Sequence, residues 1–311
     1  MSRDAFSYDS RDARDASPRS SVRRPRSTPP DTPGARDIAT DNPARSEAPH
    51  AREQISVRDE RNDSPRAYYL RDRAYLLRGS EIHSLTEVGK FRVIAARDLT
   101  KHAYGGDRDI MERDTRRLVR EGLLTDNTIP ISQRKTLRVL TLTKAGHRLL
   151  KNSNRLPEDQ LIYHGLLKAR EARHDADLYR LYQREAARIQ RAGGRPLRVV
   201  LDYELKRNLN RDLALLGPDK DNPDRKDQIA EKHGLNVVNG KIPIPDLRVE
   251  YETAELEVRH VDLELATRDY RPRALAEKAA AGFSLYSRSE DSSRLRRILD
   301  ERELTAGILS L

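Results

Sequence analysis

Early in the chain, apolar residues recur at helical spacing three times in quick succession. "SLTEVGKFRVI" offers Val88, Phe91 and Ile94 to one face, and Ser84 stands three residues before Glu87, the spacing at which a hydroxyl and a carboxylate cap a helix start reciprocally. "ARDLTKHAY" is short and stops at Gly105-Gly106, because glycine accepts positive φ without a Cβ clash. "DRDIMERDTRRLVREGLL" opens with acids in its first turn and closes at Gly122. The period then changes. "LLTDNTIPISQRKTLRVLTLT" reads as two strands about a polar turn at Ser132 to Lys135, after which Thr143 caps a last helix, "KAGHRLLKN". Three helices, a two-stranded wing and a closing helix predict a winged helix-turn-helix over residues 66–153, with "RAYYLRDRAYLLRGSEIHSL" as a helical or extended lead-in.

From about Glu158 the pattern differs. "EDQLIYHGLLKAREARHDADLYRLYQREAARIQRAG" predicts a long helix or helix pair ending at Gly193-Gly194, "PLRVVLDYELKR" a strand, and "NPDRKDQIAEKHG" a polar insertion of helical character. "NGKIPIPDLRVEYETAELEVRHVDLELATRDY" supplies two longer strands with a turn near Glu252-Thr253, and "RPRALAEKAAAGFSLYS" a helix. That order predicts an α/β unit over residues 158–311, so the fold class is α+β with an N-terminal winged helix.

Composition adds a third segment. Residues 1–64, as in "SPRSSVRRPRSTPPDTPGARD", hold almost no aliphatic side chains, bury too little apolar surface to offset chain entropy, and are expected to form a disordered tail. With three Phe and no Trp among 311 residues, the cores must come from Leu, Val, Ile, Ala and Tyr. A net charge of +10 attracts polyanions, which favours nucleic acid as partner. No apolar run approaches the roughly 18 residues of a membrane span, and no apolar segment follows the first Arg as in a secretory signal. A cytoplasmic protein without a membrane partner is expected. Cysteine is absent, which leaves carboxylates and eight His as metal ligands, a set suited to Mg²⁺. No GxxxxGK[ST], no GxGxxG after a strand and no GxSxG occurs, so a nucleotide cofactor and serine esterase chemistry lack support.

Candidate chemistry sits in two places. On the third helix Arg113, Arg116, Arg117 and Arg120 recur at i, i+3, i+4 and i+7, one continuous face away from Met111 and Leu118. The planar fork of arginine makes two parallel hydrogen bonds to phosphate or to guanine, so this stripe is expected to enter a groove of double-stranded DNA. Arg134 and Lys135 at the wing tip would touch backbone or minor groove. A solvated helix face is the plainer alternative, and a winged helix is also compatible with a homodimer.

The second place is "PDLRVEYETAELEVRHVDLEL", residues 245–265. Asp262 and Glu264 emerge on one face of their strand, and the turn brings Asp246 back alongside them. Three neighbouring carboxylates repel one another, a cost tolerated when a cation or a shared proton offsets it. Mg²⁺ held by Asp246, Asp262 and Glu264 would activate water for phosphodiester hydrolysis. The plainer alternative is a wet sheet face whose acids pair with Arg248, Arg259 and Arg268. "RHDAD" at 173–177 lacks the further His and Asp of a metal phosphohydrolase, so His174 is assigned to helix packing. "DKDNPDRKD" at 219–227 lacks the central Gly and closing Glu of a Ca²⁺ loop and reads as a polar loop.

The "PD" at 245 and 246, an acid pair about sixteen residues on and the preceding helix–strand unit resemble the PD-(D/E)xK core of restriction-endonuclease-like proteins. Joined to a winged helix, "RHDADLYRLYQREA" (173–186) and "LAEKAAAGFSLY" (275–286) resemble the replication-relaxation family of plasmid and mobile-element proteins, over roughly residues 66–290. The resemblance implies DNA binding linked to replication or transfer of a mobile element, with Asp246, Asp262, Glu264 and Lys278 as the catalytic set. The pattern departs at the lysine, since Ala266 stands two residues after Glu264; Lys278 on the following helix is a displaced alternative, and a surface lysine the plainer one. The helix-borne acid of such cores would be Glu171, with Glu204 on the first strand as another choice. The expected function is sequence- or structure-specific DNA binding with a degenerate nuclease-like domain. The alternatives are an active Mg²⁺-dependent endonuclease and a winged-helix transcriptional regulator with a C-terminal dimerisation domain.

Overall fold

The computed structural model describes residues 64–165, 169–217, 222–267, 270–300 and 308–311; the expected tail at 1–63, Arg268 and part of the 219–227 loop lie outside the described residues. An antiparallel hairpin comes first, β1 (Arg66–Leu70) on β2 (Arg73–Leu77), so the lead-in is extended. It runs into α1 (Gly79–Lys90), β3 (Ile94–Ala95), α2 (Ala96–Ala103) and α3 (Arg108–Arg120). The hairpin β4 (Leu124–Ser132) and β5 (Lys135–Leu142) follows, then α4 (Lys144–Asn152), with sheet order β3-β5-β4. Thr143 caps α4 as expected, accepting the Gly146 N–H at 3.0 Å. The first helix starts earlier than Ser84, at Gly79, because the apolar stripe extends back to the buried Ile82. Glu81 takes the capping role there, accepting the Arg78 N–H at 2.8 Å, and Ser84 donates to the Tyr104 hydroxyl at 2.6 Å.

The remainder runs α5 (Ala169–Arg191), β6 (Arg195–Leu201), α6 (Asp202–Ala214), α7 (Pro223–Lys232), β7 (Leu247–Glu252), β8 (Val258–Ala266), α8 (Pro272–Ala280), β9 (Ser284–Ser287), α9 (Ser289–Asp300) and β10 (Ile308–Ser310). Two predictions are corrected here. "DYELKR" leaves the strand and becomes α6, whose Leu205 and Leu209 at i, i+4 are buried. "FSLYS" leaves α8 at Gly282, φ +87°, and becomes a strand. The five-stranded sheet has the order β10-β9-β8-β7-β6: β6, β7 and β8 form an antiparallel meander, and β9 and β10 add in parallel.

One continuous apolar core joins the two halves. Leu85, Leu99, Leu118 and Leu140 from the helical half pack in the same cluster as Leu178, Tyr179 and Leu181 of α5 and Leu247, Leu263 and Leu265 of the sheet. A second cluster, with Leu209, Leu275, Phe283 and Leu295, includes residues of α6, α8 and α9. Strand alternation therefore commits Leu247, Leu263 and Leu265 to the α5 side and sends Arg248, Asp262 and Glu264 to the other face. Among the described residues no helix is long and apolar enough to cross a membrane.

Candidate active site and nucleic-acid interface

Asp246 lies one residue before β7, where the register that pairs Leu247 with Leu263 sets it beside Glu264. Two cross-links fix that rung: the Asp246 N–H donates to Glu264 Oε2 at 3.1 Å, and the Leu265 N–H donates to Asp246 Oδ2 at 2.9 Å. Glu264 is fully buried. Lys278 reaches in from α8, with Nζ 2.8 Å from Glu264 Oε1 and 2.6 Å from the Ile244 carbonyl, and the Tyr270 hydroxyl donates to the same carboxylate. From α5, His174 Nε2 meets Asp246 Oδ2 at 3.3 Å. The structure thus brings together Asp246, Glu264 and Lys278, and adds His174 and Tyr270.

Asp262 does not join them. Arg248 stands opposite it in the register and donates through Nε and Nη2 at 2.7 and 2.8 Å, while the same guanidinium reaches the carbonyls of His233 and Gly234 at 2.6 and 2.9 Å. This rung is two residues, about 7 Å, along the strands from the Asp246 rung. The expected convergence of three carboxylates is corrected accordingly: among the described residues no three acidic or His side chains are grouped to hold a metal ion. Glu204 sits on α6 rather than on the first strand and pairs with Arg198, and the side chain of α5 that reaches Asp246 is His174, one turn beyond Glu171. The sequence assigns His174 to helix packing, and its i, i+4, i+7 spacing with Leu178 and Leu181 puts it on the apolar stripe of α5, the signal that it turns inward.

Electrostatics at the rung follow from this crowding. Burial pulls the His174 imidazole down, but hydrogen bonds and charge from Asp175 and Asp246 outweigh it and lift the group to about 10, so the ring is an imidazolium at neutral pH. For Asp246, burial pushes upward, yet His174, the Leu265 N–H and Lys278 hold the carboxyl below its usual range. Glu264 moves the other way: burial and the Asp246 charge raise it against the pull of Lys278 and Tyr270. A chain of charges continues outward, since Asp175 lies 3.7 Å from His174 and 3.8 Å from Arg92, whose guanidinium stacks over Tyr163 and Tyr203. Both oxygens of the buried Glu264 are engaged by the chain itself, Oε2 by the Asp246 N–H and Oε1 by Lys278 and Tyr270. Asp246 and Glu264 are two carboxylates on one rung, and Mg²⁺ is commonly held by one or two carboxylates with water and substrate phosphate completing its shell.

On α3, Asp107 caps the N-terminus by accepting the Ile110 N–H at 3.0 Å, and Met111, Asp114, Thr115 and Leu118 are buried. Arg113, Arg116 and Arg120 are exposed, with Arg113 Nε resting 3.0 Å from Asp114 and Arg116 Nε donating to the Glu112 carbonyl at 3.1 Å. Arg117 is the correction to the four-residue stripe: it turns inward, donating to the Leu76 carbonyl and to Glu81 at 3.4 Å, because the buried Glu81 carboxylate needs a cation. Arg134 and Lys135 are exposed at the tip of β4–β5. That hairpin is clasped to α3 by Arg138, which bonds Asp126 at 2.7 Å and Glu112 at 3.0 Å and thereby lowers the Glu112 carboxyl. No family model matches this chain, and no curated protein matches it.

Proposed function

We propose that this chain is a double-stranded DNA-binding protein in which α3 and the β4–β5 hairpin act as a winged helix, and the C-terminal sheet carries a PD-(D/E)xK-type phosphodiesterase site. The observation that carries the reading is the meeting of Asp246 and Glu264 on one rung with Lys278 of α8, within the element order α5, β6, α6, α7, β7, β8, α8, β9. Three exposed arginines on a helix that follows two shorter ones, flanked by a basic hairpin tip, support the DNA-binding half. The resemblance to the replication-relaxation family suggests the setting, replication or transfer of a plasmid or mobile element in the cytoplasm.

Mg²⁺ held by Asp246 and Glu264 would supply polarisation of the scissile phosphate and a more acidic water. The chain's own groups do the rest. Lys278, displaced from the strand to α8, directs an ammonium at the same carboxylate and offers a cation to phosphate oxygens. His174 holds a proton at Nε2 against Asp246, which keeps that carboxylate ionised. A second reading, a binding domain that no longer cleaves, is favoured by one specific observation: both Glu264 oxygens are already engaged, by Asp246 N–H on one side and by Lys278 and Tyr270 on the other.

Supercoiled plasmid incubated with the protein and Mg²⁺ or Mn²⁺, beside Asp246→Asn, separates the two. Nicking by the parent and not by the variant is the expected result; no nicking with either ion eliminates the cleavage reading. Binding is tested apart from cleavage by Arg116→Ala with Arg120→Ala, which should reduce the salt dependence of duplex affinity by about two units of slope if both touch phosphate.

A further inference from the structure

The C-terminal half of α5 carries a face that neither the carboxylate rung nor the winged helix uses. Earlier turns of the helix bury Ala172, Ala176, Leu178, Tyr179 and Leu181 in the cores, whereas Arg184, Ala187, Arg188, Gln190 and Arg191 are exposed. Arg180, Arg184, Arg188 and Arg191 recur at i, i+4, i+8 and i+11, which keeps all four within about 80° of the helix circumference. The one acid from 180 to 191, Glu185, is 1% exposed; it accepts from the Tyr286 hydroxyl at 2.8 Å and from Arg188 Nε at 2.9 Å. That bond still leaves the Arg188 side chain 56% exposed. Arg191 Nε donates to the Ala187 carbonyl at 3.1 Å, and among the described residues neither Arg184 nor Arg191 pairs with an acid.

A solvated helix face interleaves charges of both signs, and arginines four apart repel one another. Here the exposed side chains are Arg, Ala and Gln alone. The carbonyls at a helix end favour cations, which accounts for Arg188 and Arg191 in the last turn but not for Arg184, about two turns before Arg191. At its other end the ridge meets α2: the buried Asp98 lies 3.1 Å from Arg180 and 3.8 Å from Arg97, which sets the exposed Arg97 beside it. From Arg180 to Arg191 the ridge runs about 16 Å, a length over which one strand of B-DNA presents about five phosphates. A second copy of the chain set against it would oppose arginine to arginine, whereas a sugar–phosphate backbone meets it with opposite charge. We propose that the C-terminal half of α5 is a second nucleic-acid contact, in which Arg184, Arg188 and Arg191 lie on phosphates of duplex beyond the stretch entered by α3. The inference rests on the DNA-binding reading and not on cleavage.

The test measures binding of the full chain to a duplex of about three helical turns over a range of salt. Arg184→Gln with Arg191→Gln should weaken binding at least ten-fold near 0.1 M salt and lower the salt slope by about two units, one for each phosphate no longer neutralised. Its melting temperature should match that of the parent, since neither side chain gives up an ion pair. Arg184→Lys with Arg191→Lys keeps both charges and should keep the slope. Unchanged affinity and slope in the glutamine variant, while Arg116→Ala with Arg120→Ala still weakens binding, overturns this inference alone. An equal loss of slope in the lysine and glutamine variants also overturns it, because the loss would then not follow charge. No binding of the duplex by the parent protein overturns the DNA-binding reading and this inference with it.

Discussion

Where Arg248 faces Asp262, two buried opposite charges answer each other across β7 and β8; two residues along, Asp246 just before β7 and Glu264 on β8 bring two carboxyls together. The first rung is closed within itself. The Arg248 fork meets both Asp262 oxygens and two main-chain carbonyls, leaving it little to offer a ligand. The second rung imports its cations, Lys278 from α8 and His174 from α5, and its two carboxyls are driven apart, Asp246 down and Glu264 up. Adjacent positions on one hairpin therefore separate a structural pair from a site whose protonation depends on distant elements. The latter is where titratable groups are suited to chemistry.

The largest expected effect lies on the closed rung. Arg248→Met leaves Asp262 buried without its guanidinium, with His260 Nε2 at 3.9 Å as its remaining neighbour, and should cost about 3–5 kcal/mol in denaturant unfolding, while adding Asp262→Leu should recover most of the loss, since removing both charges removes the desolvation cost. Equal loss in the single and double variants would mean that the two charges are not coupled. On the imported rung the cost is smaller and the activity loss larger. Lys278→Met should destabilise by about 2 kcal/mol, the worth of a charged hydrogen bond, because Glu264 can take up a proton in place of the ammonium. The same variant should abolish divalent-dependent nicking if the parent nicks, whereas the Arg248→Met, Asp262→Leu double variant should retain it. Loss of nicking in both would erase the functional difference between the rungs.

That difference was only partly legible in the sequence. Strand parity correctly sends Asp262 and Glu264 to one face, but parity says nothing about what stands opposite; the register sets Arg248 against Asp262 and so removes it from the site. Lys278 is legible because Ala266 occupies the position where a strand lysine would be, which directs attention to the next lysine along the chain. The partner of His174 is not legible because it lies 72 residues away. The helices α2 and α3, the hairpin β4–β5 and the Thr143 cap were legible because each rests on local spacing and local turn residues. The parallel strands β9 and β10 carry no such local signal, since their pairing is with chain segments well removed in sequence. Arg117 shows the same limit on α3: its spacing puts it in the stripe, and a buried carboxylate on α1 takes it out.

The smallest and sharpest effect concerns pH. His174 is raised to about 10 in the folded protein against roughly 6.5 when unfolded, so its contribution to stability is fully present below the unfolded value and is lost as pH rises through about 10. Asp246 is depressed, so its contribution is present above the ordinary carboxylate value near 3.9 and is lost as pH falls through the lower folded value. The contact between them is thus at full strength from about pH 4 to about pH 6.5. His174→Gln removes the charge, and its stability deficit relative to the parent should be greatest in that window, shrink steadily above it and vanish beyond about pH 10. Arg248→Met has no matching window, because a guanidinium stays charged throughout this range. NMR titration of the imidazole reads the same contrast directly: a ring still protonated at pH 8 supports the imported cation. One that titrates near 6.5 would leave Asp246 without it and make Lys278, among the described residues, the cation holding the rung together.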